Sequence, residues 1–211
     1  FCNQEVDRLR QKHGITRIAF RTCPLAEWTV SMIDPRWRDI SWPSRVLDLT
    51  KSEAELHAGV RKSYRHLINR GRRRWRVVIV HHTAADVFHA LYTVVKGRRR
   101  APRAEALMTE WLKTGNAVLL GALDGDEWHA FCYTIIYKGG AYYASGPSLE
   151  LGAMHLLQWE MIRTLKAMSI QRYELGWQAR SGDTDKDRGI SRFKAGFGGE
   201  NRLVWAVERE L

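Results

Sequence analysis

One stretch of this 211-residue chain gathers residue types that can manage a charged ligand: Arg192-Phe193-Lys194-Ala195-Gly196-Phe197-Gly198-Gly199. A lysine stands between two aromatic rings, and three glycines follow within four positions. Glycines let backbone approach backbone, or ligand, where a side chain would block it. The phenylalanines are apolar anchors able to hold the segment down. A lysine fixed there is a positive charge with a defined address. On composition alone the same residues also read as a buried hairpin corner carrying a surface lysine.

The charge distribution gives that lysine a possible ligand. The chain carries 34 basic and 23 acidic residues, a net charge of +11. Arg61, Lys62, Arg65, Arg70, Arg72, Arg73, Arg74 and Arg76 fall within Gly59–Arg76, where no acid stands. Lys96, Arg98, Arg99, Arg100 and Arg103 form a second acid-free segment. Without these thirteen residues the chain has 21 basic against 23 acidic residues, a balance of −2. Two basic segments on a nearly neutral protein point to a polyanion, nucleic acid ahead of a membrane surface.

Hydrophobic residues make up 45% of the chain and nine are tryptophan, as in a folded domain with a sizeable core. No apolar run reaches the length of a membrane span. The chain opens on Phe1 with no signal-peptide pattern, and reads as a piece of a longer reading frame. Cys2, Cys23 and Cys132 are odd in number and widely spaced, which fits free thiols in a reducing cytoplasm. His81-His82 is a poor metal pair, because adjacent strand residues point to opposite faces, and no metal site is expected.

The elements that must position Lys194 read as follows. A short helix spans 3–13, a strand 15–20, and a Trp- and Pro-rich connection 23–44. A strand over 45–49 leads to a capping box, Ser52 and Glu55, and one helix with an apolar stripe (Leu56, Val60, Tyr64, Leu67, Ile68) ended by Gly71. Residues 75–80 read as a strand covered on both faces. Helices follow at 84–95 and from Pro102 to about Gly115. Strands at 117–123, 128–137 and 141–144 are separated by Asp124-Gly125-Asp126 and Gly139-Gly140 turns. A helix over 152–168, a strand over 172–176, a polar loop over 178–187 and a last strand over 202–207 complete the chain. This is a mixed α/β (α+β) sheet flanked by helices: residues 1–44 form an N-terminal segment, part of a preceding domain or a packing extension, and 45–211 the main domain. The meander-helix-strand succession is that of the Gcn5-related N-acyltransferase fold, among several mixed folds that fit.

Several segments in order, Leu47-Asp-Leu-Thr50, Val60-Arg-Lys-Ser-Tyr-Arg65, Ile68-Asn-Arg-Gly71, Tyr142-Tyr143-Ala-Ser-Gly146, Tyr173-Glu-Leu-Gly176 and Phe193-Lys194-Ala-Gly196-Phe-Gly-Gly199, resemble the Fem family of aminoacyl-tRNA-dependent peptidyl transferases. The resemblance covers about residues 45–207. It implies transfer of an amino acid from tRNA to an amine, with amide formation. The family has paired acyltransferase-like domains, whereas this sequence has room for one and part of another. The acceptor it implies is therefore a small peptide-like natural product or a cell-wall precursor, and aminoacyl-tRNA is the co-substrate in place of a resident cofactor.

Carried onto this chain, Lys194 matches the family's Phe-Lys lysine, and its implied role is stabilising charge and positioning phosphate near the aminoacyl end of tRNA. Phe193 would stack on or pack against the terminal adenosine. Arg61, Lys62, Arg65 and Arg70 are the expected phosphate contacts, with Arg72, Arg73, Arg74, Arg98, Arg99, Arg100 and Arg192 a broader footprint. Tyr143, Ser145, Glu174 and Trp177 are expected around the substrate pocket, and Glu174, Asp183, Asp185 or Asp187 can take a proton from the amine. No Ser/His/Asp or Cys/His set is readable, and transfer from an activated ester needs none.

Two alternatives stand beside this reading. Acyl-coenzyme A is one donor, but Gly146-Pro-Ser-Leu-Glu-Leu-Gly152 lacks the glycine spacing that holds a pyrophosphate at a helix N-terminus. A non-catalytic RNA-binding module explains the charge but not the Phe-Lys and glycine constellation.

Overall fold

The computed structural model describes residues 2–22, 37–180 and 183–210. Residues 23–36 of the expected Trp- and Pro-rich connection, and 181–182 of the polar loop, lie outside the described residues. The elements in order are α1 (Cys2–His13), β1 (Arg17–Arg21), β2 (Arg38–Asp39), β3 (Trp42–Asp48), α2 (Glu53–Gly59), α3 (Lys62–Arg74) and β4 (Arg76–Ile79). A short 3-10 turn at His82–Ala84 leads into α4 (Ala85–Lys96) and α5 (Pro102–Lys113). Then come β5 (Ala117–Asp124), β6 (Glu127–Tyr137), β7 (Gly140–Ser145), α6 (Leu151–Ala167), β8 (Arg172–Trp177), α7 (Asp185–Ala195), β9 (Glu200–Val204) and β10 (Ala206–Glu210).

Seven strands form the main sheet in the order β4-β5-β6-β7-β8-β3-β9, antiparallel except where β7 pairs with β8. The expected mixed α/β architecture is therefore present. Strand alternation loads both faces. In β6, Ala130 and Cys132 join the core under α3 and α6, while Phe131 and Tyr133 join a second core under α4 and α5. Helix α6, the crossover between the two parallel strands, is buried along most of its length, polar His155 and Gln158 included. β1 and β2 pair with β10 in a separate three-stranded sheet.

Four local expectations need correction. The helix expected from Ser52 to Gly71 is two helices. The Ser52–Glu55 capping box starts the first, with the Glu55 amide on the Ser52 hydroxyl at 3.2 Å and the Ser52 amide on the Glu55 carboxylate at 2.9 Å. The chain then breaks at Val60 and Arg61, both extended, and the Arg61 amide donates to the Gly196 carbonyl at 2.8 Å. Gly71 does not end α3, because there the missing side chain admits Leu156 of α6; a Cβ would lie 3.1 Å from the Leu156 Cβ. β4 is an edge strand and its cover is partial: Val77 and Val78 pack towards opposite cores, as expected of a strand covered on both faces, but Ile79 is 72% exposed. The last expected strand is two, β9 on β3 and β10 on β1.

The glycines of 196–199 answer to contacts within the protein. A Cβ at Gly196 would sit 2.0 Å from the Tyr64 ring, at Gly198 3.1 Å from the Gly59 carbonyl, and at Gly199 2.4 Å from the Val46 carbonyl. Gly199 also has φ +76°, a left-handed backbone. Gly199→Ala therefore combines a left-handed penalty of roughly 1–2 kcal/mol with overpacking against backbone of roughly 1–3 kcal/mol. Urea unfolding should show a loss of about 3 kcal/mol. Gly125→Ala, at φ +59° in the β5–β6 turn with nothing within 4 Å, should lose only about 1 kcal/mol. Equal losses would contradict this account of the segment.

Candidate functional site

The parallel pairing of β7 and β8 ends at Tyr142 opposite Glu174, yet β7 runs on to Ser145 and β8 to Trp177. Beyond that register β7 stays with β6, up to Ser145 opposite Tyr133, and β8 stays with β3, up to Trp177 opposite Ser44. The two strands part, and the sheet opens a cleft at their carboxyl ends, the usual place for a ligand site in such sheets.

Lys194 enters this opening from the last turn of α7, so the hairpin-corner reading fails in favour of a helix end. Thr184 caps that helix, its hydroxyl accepting from the Asp187 amide, which turns Asp185–Asp187, the last three residues of the expected polar loop, into helix. Lys194 Nζ donates to the Trp177 carbonyl at 2.9 Å. Burial lowers its pKa from 10.5 to about 8, and the nearby Glu174 carboxylate acts in the opposite sense. Glu174 is buried on β8 and accepts a 2.6 Å hydrogen bond from the Ser44 hydroxyl. Burial raises its carboxyl pKa, while the Ser44 hydrogen bond and Lys194 oppose the rise. Gly176, at φ +87°, keeps the floor open: a Cβ there would lie 3.4 Å from Lys194 Nζ and 3.5 Å from the Tyr142 ring.

The cleft has a volume of about 790 Å³. One face of α7 lines it through Lys186, Ile190, Phe193 and Lys194, spaced as one helical stripe. The end of α4 supplies Tyr92 and Lys96, and the turn after it Arg100. Tyr142, Tyr143 and Ser145 of β7 lie between. Four cations, Lys96, Arg100, Lys186 and Lys194, thus face one cleft whose lining, among the described residues, contains no carboxylate.

The other expected site residues are dispersed. Trp177 supplies its carbonyl to Lys194, but its side chain is not among the cleft lining. The guanidinium of Arg61 lies 5.0 Å from the Tyr64 ring centroid, and Tyr64 in turn packs against Phe193 and Phe197. Lys62, Arg70, Arg73, Arg98 and Arg192 are exposed and Arg65 is half-buried, all outside the cleft. Arg72 pairs with Glu160, Arg74 with Asp124 and Glu150, and Arg99 with Glu105, so these three already hold intramolecular partners. Asp187 caps α7, Asp185 pairs with Arg188, and Asp183 accepts from the Arg180 amide. Sequence reasoning missed Tyr92, Lys96, Tyr142 and Lys186. The Thr184-x-x-Asp187 cap was the signal for α7, and hence for Lys186 on the Lys194 face. Among the described residues, no three His, Cys, Asp or Glu side chains converge as a metal site would require.

The turn after β7 is fastened to β6. The Phe131 amide donates to the Pro147 carbonyl at 3.0 Å, and the Leu149 amide to the His129 carbonyl at 2.9 Å. Glu150 then stands at the cap of α6 and pairs with Arg74. The Leu149 amide is thereby engaged, and a carboxylate occupies the entrance of α6, where a bound anion would be repelled.

Titration of Lys194, followed by NMR of reductively methylated protein, should show a midpoint near 8 instead of 10.5. Glu174→Gln removes the charge that favours the ammonium and should lower the midpoint further. Because the folded pKa lies below the unfolded one, the unfolded chain binds the extra proton between pH 8 and 10.5. This lysine's contribution to stability therefore rises across that window and is lost as pH falls through 8. A midpoint at the ordinary lysine value would show that the cleft does not desolvate Lys194.

Residues 56–195 match a family described as an acetyltransferase (GNAT) domain. No curated protein matches the chain. Among solved structures, FemX is similar at 12% identity and TM-score 0.65, over 98% of this chain and 68% of FemX. A lysylphosphatidylglycerol synthetase, L-PGS from Bacillus licheniformis, is similar at 13% identity and TM-score 0.61, over 82% of this chain and 62% of that one. The C-terminal domain of a putative lysylphosphatidylglycerol synthetase from Agrobacterium fabrum is similar at 14% identity and TM-score 0.60, over 83% of this chain and 63% of that one. The chain thus spans about two thirds of the length of each, and no helix among the described residues is long and apolar enough to cross a membrane. With the family match extending over well more than half of its length, the chain belongs to the acetyltransferase (GNAT) domain family and has a Fem-like form of that acyltransferase fold.

Proposed function

We propose that this acyltransferase domain moves an amino acid from the 3′ end of aminoacyl-tRNA to an amine, forming an amide. The observation that carries the reading is a cleft with four cations and no carboxylate in its lining, one of the cations being the partly desolvated Lys194. The Fem resemblance and the fold shared with FemX and with a lysylphosphatidylglycerol synthetase and a putative one support an aminoacyl group as the cargo. The exposed cations Arg61, just before α3, and Lys62, Arg70 and Arg73 within it extend the positive surface beyond the cleft and suit a polyanionic donor. The engaged turn after β7 disfavours the pyrophosphate of coenzyme A.

The chemistry asks little of the protein beyond position and charge. A neutral amine attacks the ester carbonyl, a C–N bond forms, and negative charge gathers on the carbonyl oxygen. The ester C–O bond then breaks. The ribose hydroxyl leaves with a proton, and the proton shed by the amine passes to solvent or a nearby base. Lys194, mostly protonated at pH 7 and already held at one end by the Trp177 carbonyl, is placed to stabilise the developing oxyanion. Phe193, packed against Tyr64, His155 and Phe197, offers an aromatic edge to the terminal nucleoside.

The test is incubation with a panel of charged, labelled tRNAs and candidate amines. Lys194→Met should lower the transfer rate by roughly 100-fold or more, with circular dichroism and tRNA gel shift unchanged. The wild-type rate should fall as pH rises through about 8, as the ammonium is lost, and Lys194→Arg should move that limb upward. Wild-type transfer by Lys194→Met would exclude the lysine's role. Equal gel shifts with tRNA and generic duplex RNA, without transfer to any amine, would favour a binding module.

A further inference from the structure

Resting on that reading, the structure assigns a substrate class to the acceptor: we infer that it carries a carboxylate, as an amino acid or short peptide does, and that Arg100 binds it. Arg98, Arg99 and Arg100 are consecutive but meet three different fates. Arg98 is exposed to solvent, and Arg99 makes paired hydrogen bonds to Glu105. Arg100 turns inward. Its guanidinium carbon lies 3.3 Å from the Tyr92 ring centroid and 4.9 Å from that of Phe88, and Nη2 donates to the Ser145 hydroxyl. The Gly97 turn, left-handed at φ +66°, and Pro102 at the start of α5 bracket the segment that makes this inward turn.

No carboxylate among the described residues pairs with Arg100. Nη1 is buried without a hydrogen-bond partner, and burial lowers the pKa of the group. Glu105, held by Arg99, attracts Arg100 only from outside hydrogen-bonding contact, so a guanidinium desolvated beside two aromatic rings with no carboxylate on it is costly to fold. It becomes favourable when an anion completes it in the cleft that it lines. Arg100 lines the cleft beside the Ser145 hydroxyl that it holds, so its charge and that hydroxyl face the same space, and a charged donor strengthens a hydrogen bond to a carboxylate there. Arg100 and the Ser145 hydroxyl together offer one unit of charge and fixed donors, which fits a monoanion.

Placement separates this anion from the donor. The α4 and α5 helices that bracket Arg100 pack with β5 and β6, and Lys194 is anchored to the end of β8, with the end of β7 between the two. An acceptor whose amine lies near Lys194 and whose carboxylate lies at Arg100 spans the floor formed by Tyr142, Tyr143 and Ser145. Tyr143, Met154 and Ile190 leave apolar surface between the two charged ends for a side chain.

Calorimetry with glycyl-phenylalanine and its C-terminal amide, without tRNA, reads this directly and independently of transfer. The free acid should bind at least tenfold more tightly than the amide. Arg100→Met should abolish the difference. Ser145→Ala, which removes no charge, should weaken the acid several-fold and leave the amide unaffected, which keeps the inference testable if Arg100→Met fails to fold. Equal binding of acid and amide to the wild type, or no binding of either, would overturn the inference. So would weakened tRNA binding by Arg100→Met without loss of acid preference, because Arg100 would then serve a donor phosphate. A protein that shows acid preference but no aminoacyl transfer would retain this site and lose the donor assignment, so the two failures are distinct.

Discussion

The constraint on which this molecule turns is an ammonium group kept partly out of water and given one carbonyl oxygen to hold. Lys194 is fastened to Trp177 at 2.9 Å, and its pKa falls to about 8. A displacement of that size disfavours the charged form by roughly 3 kcal/mol, which surrounding structure must offset. The buried Glu174, itself hydrogen-bonded by Ser44, already limits that fall, and the close packing that fixes α7 offsets the remainder. In the proposed reaction such a fixed cation would meet the charge that develops in the transition state, the condition under which electrostatic catalysis is effective.

The scaffold around α7 follows from that requirement. The segment after Lys194 docks with almost no side-chain volume: Gly196 against Tyr64, Gly198 against Gly59, Gly199 against Val46. The break between α2 and α3 serves the same contact, since it frees the Arg61 amide for the Gly196 carbonyl. Tyr64, His155, Phe193 and Phe197 then form one aromatic cluster joining α3, α6 and α7. The helix that carries Lys194 is thereby tied both to the end of the parallel strand pair and to the crossover helix.

Much of this was legible in the residue order. The meander, the crossover helix and the parallel strand after it are local patterns, and the sheet they form is present. The glycine run was correctly marked as a place of close approach, but its partners are distant in sequence and cannot be read from spacing. The helix break at Val60 and Arg61 was hidden because Leu56, Val60 and Tyr64 keep helical spacing across it. Charge was legible only as a total. Whether an arginine meets an acid depends on tertiary neighbours, so Arg72, Arg74 and Arg99 look like Arg73 in sequence but are ion-paired in the fold. Arg100, one of three identical neighbours, is distinguished only by the turn that carries it inward. The cap at Thr184 and Asp187 was readable, and would have placed Lys186 and Ile190 beside Lys194.

Fold and family leave the acyl donor as the question on which the reading rests. The turn after β7 bears on it most, because its Leu149 amide is engaged by β6 and the Glu150 carboxylate stands at the start of α6, which is unfavourable for a pyrophosphate there. The most direct measurement supplies aminoacyl-tRNA and acyl-coenzyme A together, with differently labelled acyl groups, to the protein and an amine, and identifies by mass spectrometry which label the amide carries. The account predicts the label from tRNA, with none from coenzyme A. An amide carrying the coenzyme A label would contradict it.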